Sequence, residues 1–143
     1  MKAVDSNVLI YAHHAKNEHF DQARASLRDL AVGPVPWALP WPCVYEFLRV
    51  VTHPSATEAP LGILQAWAQG QTLLNSPNVI LLTETERHAE VLEGLIRRVR
   101  VTGNLVHDAH IAALLIEHGV REILTADDDF RKFEALTVTN PFV

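Results

Sequence analysis

The four residues Val79-Ile80-Leu81-Leu82 decide the fold class. They follow the breaker Ser76-Pro77-Asn78 as an unbroken apolar run, which predicts a strand buried on both faces, the pattern of a parallel sheet. Further short runs join it. Ala3-Val4 leads into Asp5-Ser6-Asn7, a triplet rich in capping residues, so a first strand ends near Asp5 and a helix opens just beyond, through Val8 to Tyr11. Val35 to Pro40 reads as a proline-bounded strand or extended segment, Glu122 to Thr125 as a strand and Leu136 to Val138 as an edge strand. Helical spacing covers residues 20–30, 43–52, 61–74, 85–100 and 106–118, the last closed by Gly119. Alternating strands and helices imply right-handed crossovers. The expected fold is therefore a three-layer α/β/α domain around a mostly parallel sheet of four or five strands.

Composition is compatible with one domain, taken as residues 1–143, because 48% of the residues are hydrophobic and can build a substantial core. The single Cys43 forms no internal disulfide, and no apolar run approaches the roughly twenty residues that a membrane span needs. Met1-Lys2-Ala3-Val4-Asp5 places charge too early for a secretory signal. A soluble chain in a reducing compartment such as the cytoplasm is expected, with no membrane partner. The net charge of −5 argues against a simple electrostatic clamp on nucleic acid. If the substrate is a polyanion, cations must mediate its contact with the acidic residues.

Those residues are Asp5, Glu46, Asp108 and the triplet Asp127-Asp128-Asp129. Functional groups of an open parallel sheet collect outside the C-terminal strand ends, so Asp5 and Asp127 meet if their strands are neighbours, and Glu46 and Asp108 enter from helix starts. Close carboxylates repel by roughly 4 kcal/mol per pair at the effective dielectric of a partly buried site. A cation would compensate. An oxygen-only donor set favours Mg²⁺ or Mn²⁺ over zinc, and such a metal orients a phosphate, activates water and stabilises the leaving oxyanion. Hydrolysis of a phosphodiester is the matching reaction. Each acid taken singly also reads as a surface group or helix cap, Asp5 and Asp108 especially. Glu46 is the sharper case, since its neighbours Val44, Tyr45, Phe47, Leu48, Val50 and Val51 make an unpaired charge costly.

Four segments together resemble PIN-domain ribonucleases, and more narrowly the VapC toxins of VapBC toxin–antitoxin pairs. They are Val4-Asp5-Ser6-Asn7-Val8-Leu9-Ile10-Tyr11, Glu46-Phe47-Leu48-Arg49-Val50-Val51-Thr52-His53-Pro54, His107-Asp108-Ala109-His110-Ile111-Ala112-Ala113 and Leu124-Thr125-Ala126-Asp127-Asp128-Asp129-Phe130. The resemblance extends over essentially the whole chain. It implies a PIN-like fold and a Mg²⁺- or Mn²⁺-dependent endoribonuclease, usually dimeric and held inactive by a cognate VapB-type antitoxin. Asp5, Glu46, Asp108 and Asp127 match the family's acidic quartet, with Asp129 at a further acidic position. Ser6, Asn7 and Thr125 fall at small polar positions able to orient carboxylates. Asp128 matches no required acid.

The remaining polar residues divide less sharply. Arg49 lies on i, i+3 spacing from Glu46 and would pair with an acid or meet a phosphate of the RNA. Arg97, Arg98 and Arg100 suit either a solvated helix end or an RNA contact. His107 and His110 flank Asp108, though a metal-based hydrolysis requires no histidine there, and His13-His14 lacks zinc-ligand spacing. Trp37, Trp41 and Trp67 suit core or interface anchors, with Trp41 able to line a groove near Glu46. Asn7 stands where a dehalogenase-like phosphatase would need a second Asp, and the middle of the chain lacks the phosphoacceptor Asp of a receiver domain. A non-catalytic PIN-like module binding RNA or protein stays open. The apolar helical stretches at 20–31, 43–52 and 61–74 carry more Trp, Leu and Val than one sheet face requires, pointing to a groove or dimer interface.

Overall fold

The apolar runs pair as a wholly parallel sheet in the computed structural model, which describes residues 1–143. Its strands are β1 (Lys2–Val4), β2 (Trp37–Pro40), β3 (Val79–Leu82), β4 (Glu122–Leu124) and β5 (Thr137–Thr139), in the order β3-β2-β1-β4-β5. Register places Ala3 beside Ala38, Val4 beside Leu124 and Leu39 beside Leu81. Six α-helices connect them: α1 (Ser6–Tyr11), α2 (Phe20–Val32), α3 (Trp41–Thr52), α4 (Ile63–Leu74), α5 (His88–Arg98) and α6 (Leu105–Glu117). The chain runs outward from β1 through β2 to β3, then returns across the sheet to β4. Right-handed crossovers in opposite directions put α1 to α4 on one face and α5 and α6 on the other. This is the expected three-layer α/β/α arrangement.

Local chemistry sets most boundaries. Pro42 occupies the first turn of α3, where a missing N–H costs nothing, and Asp5 caps α1 by accepting from the Ser6 N–H at 2.7 Å. Gly119, with φ 71°, ends α6 in a Schellman turn: its N–H reaches the Ile116 carbonyl at 3.1 Å and the Val120 N–H reaches Leu115 at 2.8 Å. The interior of α6, Ala109 and Ile111 to Leu115, is buried all round, as befits a helix caught between the sheet and its neighbours.

Two expectations are corrected. Val79–Leu82 is a parallel strand, but it is not buried on both faces: it lies at the sheet's edge, and Ile80 is 40% exposed. A single strand's apolarity cannot distinguish a central from an edge position once helices shelter one side. The helix expected from Thr85 starts only at His88, because the Thr85 N–H and hydroxyl both turn to Glu117, at 2.9 and 2.8 Å. That tertiary bond outcompetes local helix propensity.

Candidate metal centre

The strand order has one topological switch point, between β1 and β4, where neighbouring strands send their connections in opposite directions. A crevice forms outside the carboxyl ends of strands at such a point. Asp5 follows β1 there and Thr125 to Asp127 follow β4, so the fold itself brings two distant acidic segments together.

Asp5 is buried and held from several sides. Its Oδ1 accepts from the Ser6 N–H, with the Ser6 hydroxyl at 3.4 Å and the Cys43 thiol at 3.7 Å, while Oδ2 accepts from the Thr125 hydroxyl at 2.7 Å and the Asn7 amide at 3.2 Å. Asn7 also donates to Thr125 Oγ1 at 2.9 Å and accepts from the Ala126 N–H, and that same Thr125 oxygen accepts from the Asp127 N–H. Ser6, Asn7 and Thr125 thus form a polar brace between the two strand ends. Burial raises the Asp5 pKa most, aided by the Asp127 charge; the Thr125 and Ser6 hydrogen bonds oppose it.

Asp108 enters from the first turn of α6. One ligand oxygen each from Asp108, Asp127 and Asp129 lie within 4.8 Å of one another, a spacing that a single divalent cation can bridge. Burial, followed by repulsion from Asp127, Asp5 and Asp129, pushes the Asp108 pKa up to about 7. Lys132 is the one opposing charge among these leading influences, and it binds Asp129 at 3.0 Å. Asp128 turns away to Arg131 at 3.0 Å.

Glu46 does not join that triad. Its carboxylate is gripped by the Arg49 guanidinium in a fork, at 3.0 and 2.6 Å, and this contact holds its pKa below the usual carboxylate value despite partial burial. The partner that an acid in an apolar helix requires is therefore Arg49. Together they border a groove of about 620 Å³ with Trp41, Tyr45, His107 and His110. His107 acts electrostatically on both Glu46 and Asp5, connecting groove and centre. Arg97 pairs with Glu93 and Arg98 caps the Gly94 carbonyl, the local roles of a solvated helix end.

Lys132 and Cys43 belong to this centre and were invisible as such in the sequence. Lys132 carried a weak signal, its i, i+3 spacing from Asp129. Cys43 carried none, because its contact with Asp5 spans the chain; burial, then the Asp5 charge, pushes its thiol well up, so it stands as a neutral donor.

Known proteins resemble this chain along its whole length. The family model described as PIN domain matches residues 2–136. Ribonuclease VapC48 of Mycobacterium tuberculosis is 36% identical over 138 residues, covering 96% of this chain and 95% of its own. Among solved structures, VapBC2 from Rickettsia felis, bound to a DNA fragment from its promoter, superposes with a TM-score of 0.70 at 19% identity over 97% of both chains. A toxin-antitoxin complex from Klebsiella pneumoniae gives 0.64 at 18% identity, covering 99% of this chain and 98% of that one. At such identities the two structures speak for the fold alone. The family model and the full-length relative together establish that this chain belongs to the PIN domain family, among the VapC proteins.

Proposed function

We propose that this chain, acting as one PIN domain over residues 1–143, is a Mg²⁺- or Mn²⁺-dependent endoribonuclease toxin neutralised by a VapB-type antitoxin. The observation that carries this reading is the convergence of Asp108, Asp127 and Asp129 beside buried Asp5 at the sheet's switch point. The donor set fits a hard cation: every ligand-capable atom in the triad is a carboxylate oxygen, and the burial and carboxylate repulsion that together lift Asp108 to about 7 would be offset by positive charge. Asp5, Asp108, Asp127 and Asp129 would hold the ion, with Glu46 facing it from the groove side. Bound there, the ion would supply a Lewis acid and a neutralising charge for a phosphodiester under attack by water.

The chain's own residues do the positioning. Thr125 and Asn7 lock the Asp5 carboxylate and the Asp127 backbone in one frame. Asp108, with its pKa at about 7, holds its proton only part of the time near neutrality, and a cation held there would favour its carboxylate form, so ion binding would strengthen as pH rises. Arg49, steadied by Glu46, offers its exposed guanidinium to an RNA phosphate, while Trp41 and Tyr45, with ring centroids 6.2 Å apart, offer aromatic faces to unstacked bases.

Relatives named as VapC ribonucleases support the activity, and the same fold occurs in a protein described as a toxin-antitoxin complex, the kind of partnership proposed for this chain. A second groove, of about 420 Å³, sets Leu27 and Leu73 beside Arg24, Arg28 and Gln69 and suits an amphipathic antitoxin segment. Ile63, Leu64 and Trp67 on α4 stay exposed and suit a homodimer contact. Purified, antitoxin-free protein should cut a structured RNA with Mg²⁺ or Mn²⁺ but not in excess EDTA, and Asp5→Asn should abolish the cut. Mapping RNA 5′ ends in cells after induction of each form checks this. Equal cleavage by Asp5→Asn, or cleavage in EDTA, would overturn the metal mechanism; no cleavage under any condition would favour a binding module.

A further inference from the structure

A second group of ligating side chains lies between α5 and α6, outside the acidic centre. Glu84 follows β3, His88 opens α5 and His110 projects from α6, and one ligand atom from each lies within 4.8 Å of the others. His88 Nδ1 pairs with Glu117 Oε2 at 2.6 Å. The Glu117 side chain is 0% exposed, and its other oxygen accepts from the Thr85 N–H and hydroxyl. This anchorage fixes the His88 ring and leaves its Nε2 for another partner. His110 Nε2 meets Glu84 Oε1 at 2.6 Å, and the two imidazoles stand 5.5 Å apart at 68°.

We propose that Glu84, His88 and His110 form a zinc site, with Glu117 orienting His88. Two imidazoles and one carboxylate make a three-ligand zinc set that leaves a fourth position for water. A carboxylate behind a ligating histidine is the usual outer support of such a site, since it selects the tautomer and raises the ring's basicity. The donors differ in kind from the oxygen-only triad around Asp108, so the two centres select different ions. A plain pair of His–Glu contacts would account for His88 with Glu117. It gives no reason for Glu84, whose side chain is 51% exposed, to converge with His110 on the same point, because an exposed pair contributes little stability. Zinc–ligand distances of about 2.0–2.1 Å require the 2.6 Å Glu84–His110 contact to widen, and the exposed Glu84 has room to do so.

The test strips the full chain with EDTA, removes the chelator and titrates Zn²⁺ against a chromophoric competitor, with Co²⁺ absorbance as a second probe. The expected result is about one Zn²⁺ per chain and a tetrahedral Co²⁺ spectrum. His88→Gln and His110→Gln should each weaken binding by at least about tenfold, and Asp127→Asn should leave it intact. Circular dichroism checks folding; should a histidine variant unfold, Glu84→Gln, changed at an exposed position, carries the test with the same expected loss. No stoichiometric binding by wild type, binding that survives these variants, or binding lost in folded Asp127→Asn would overturn the site.

Discussion

Asp108 is a carboxyl that the folded chain holds near its titration point, at about 7, whereas in an unfolded chain it ionises near 3.8. Between those values the folded state binds the extra proton. The contribution to stability is therefore full below the lower value, declines as pH rises between them and is gone above about 7. In EDTA, Asp108→Asn should remove this penalty, raising Tm at pH 8 by roughly 3–5 °C, the shift expected for about 1 kcal/mol after solvent screening. The advantage over wild type should shrink toward pH 5. Calorimetry of both proteins across that range checks it, and a pH-independent difference would contradict the assignment. Thr125→Val argues the same centre from its brace. It removes the donor to Asp5 and the acceptor of the Asp127 N–H, so stability should fall by about 1–3 kcal/mol and cleavage by about 10–100-fold, read by denaturant melts and RNA assays. The acids were legible in the sequence because Asp5 and Asp127 follow short apolar runs while Glu46 and Asp108 fall near helix starts. Their state was not, since burial and repulsion are properties of the assembled site.

Elements were legible where local chemistry alone fixes them. The breaker before β3, the capping triplet before α1 and the glycine after α6 act through their own backbone preferences. Where an element's limit depends on a distant partner, sequence reading failed: Glu117 draws Thr85 out of α5, and the sheltering helices let an apolar strand serve at the sheet's edge. Gly119 offers a test at this scale. Nothing lies within 4 Å of a Cβ added there, so Gly119→Ala isolates the cost of the left-handed backbone from any steric clash. Stability should fall by about 1–2 kcal/mol in a thermal or urea melt. Cleavage at low temperature should be unchanged, because the turn lies at the far end of α6 from Asp108. An unchanged melt would mean that the residue is not held at φ 71°.

At the scale of the molecule, the alternation of strands and helices announced a parallel sheet, yet not the order β3-β2-β1-β4-β5 that creates the switch point. Several orders satisfy the same alternation, and only pairing of β1 with β4 sets Asp5 beside Asp127. That order also concentrates much of the acidic character of a chain of net charge −5 in one centre, while the α1-to-α4 face carries a separate groove that combines Leu27 and Leu73 with Arg24 and Arg28. A partner engaging both would place apolar side chains along Leu27 and Leu73 and a basic residue near the carboxylates. The two contributions respond differently to salt. Attraction between charges is screened over about 10 Å at 0.1 M salt, whereas apolar burial persists. Co-expression with the neighbouring small open reading frame should therefore yield a co-purifying complex, whose Kd weakens between 0.05 and 0.5 M NaCl but remains measurable. Replacing Phe47 by Ala is a poor probe, since that side chain is also core. Leu27→Asp, on the partly exposed wall of the groove, should weaken the complex at every salt concentration and leave RNA cleavage by the free chain intact. Failure of the two products to co-purify, or a complex indifferent to Leu27→Asp, would remove the antitoxin from this groove.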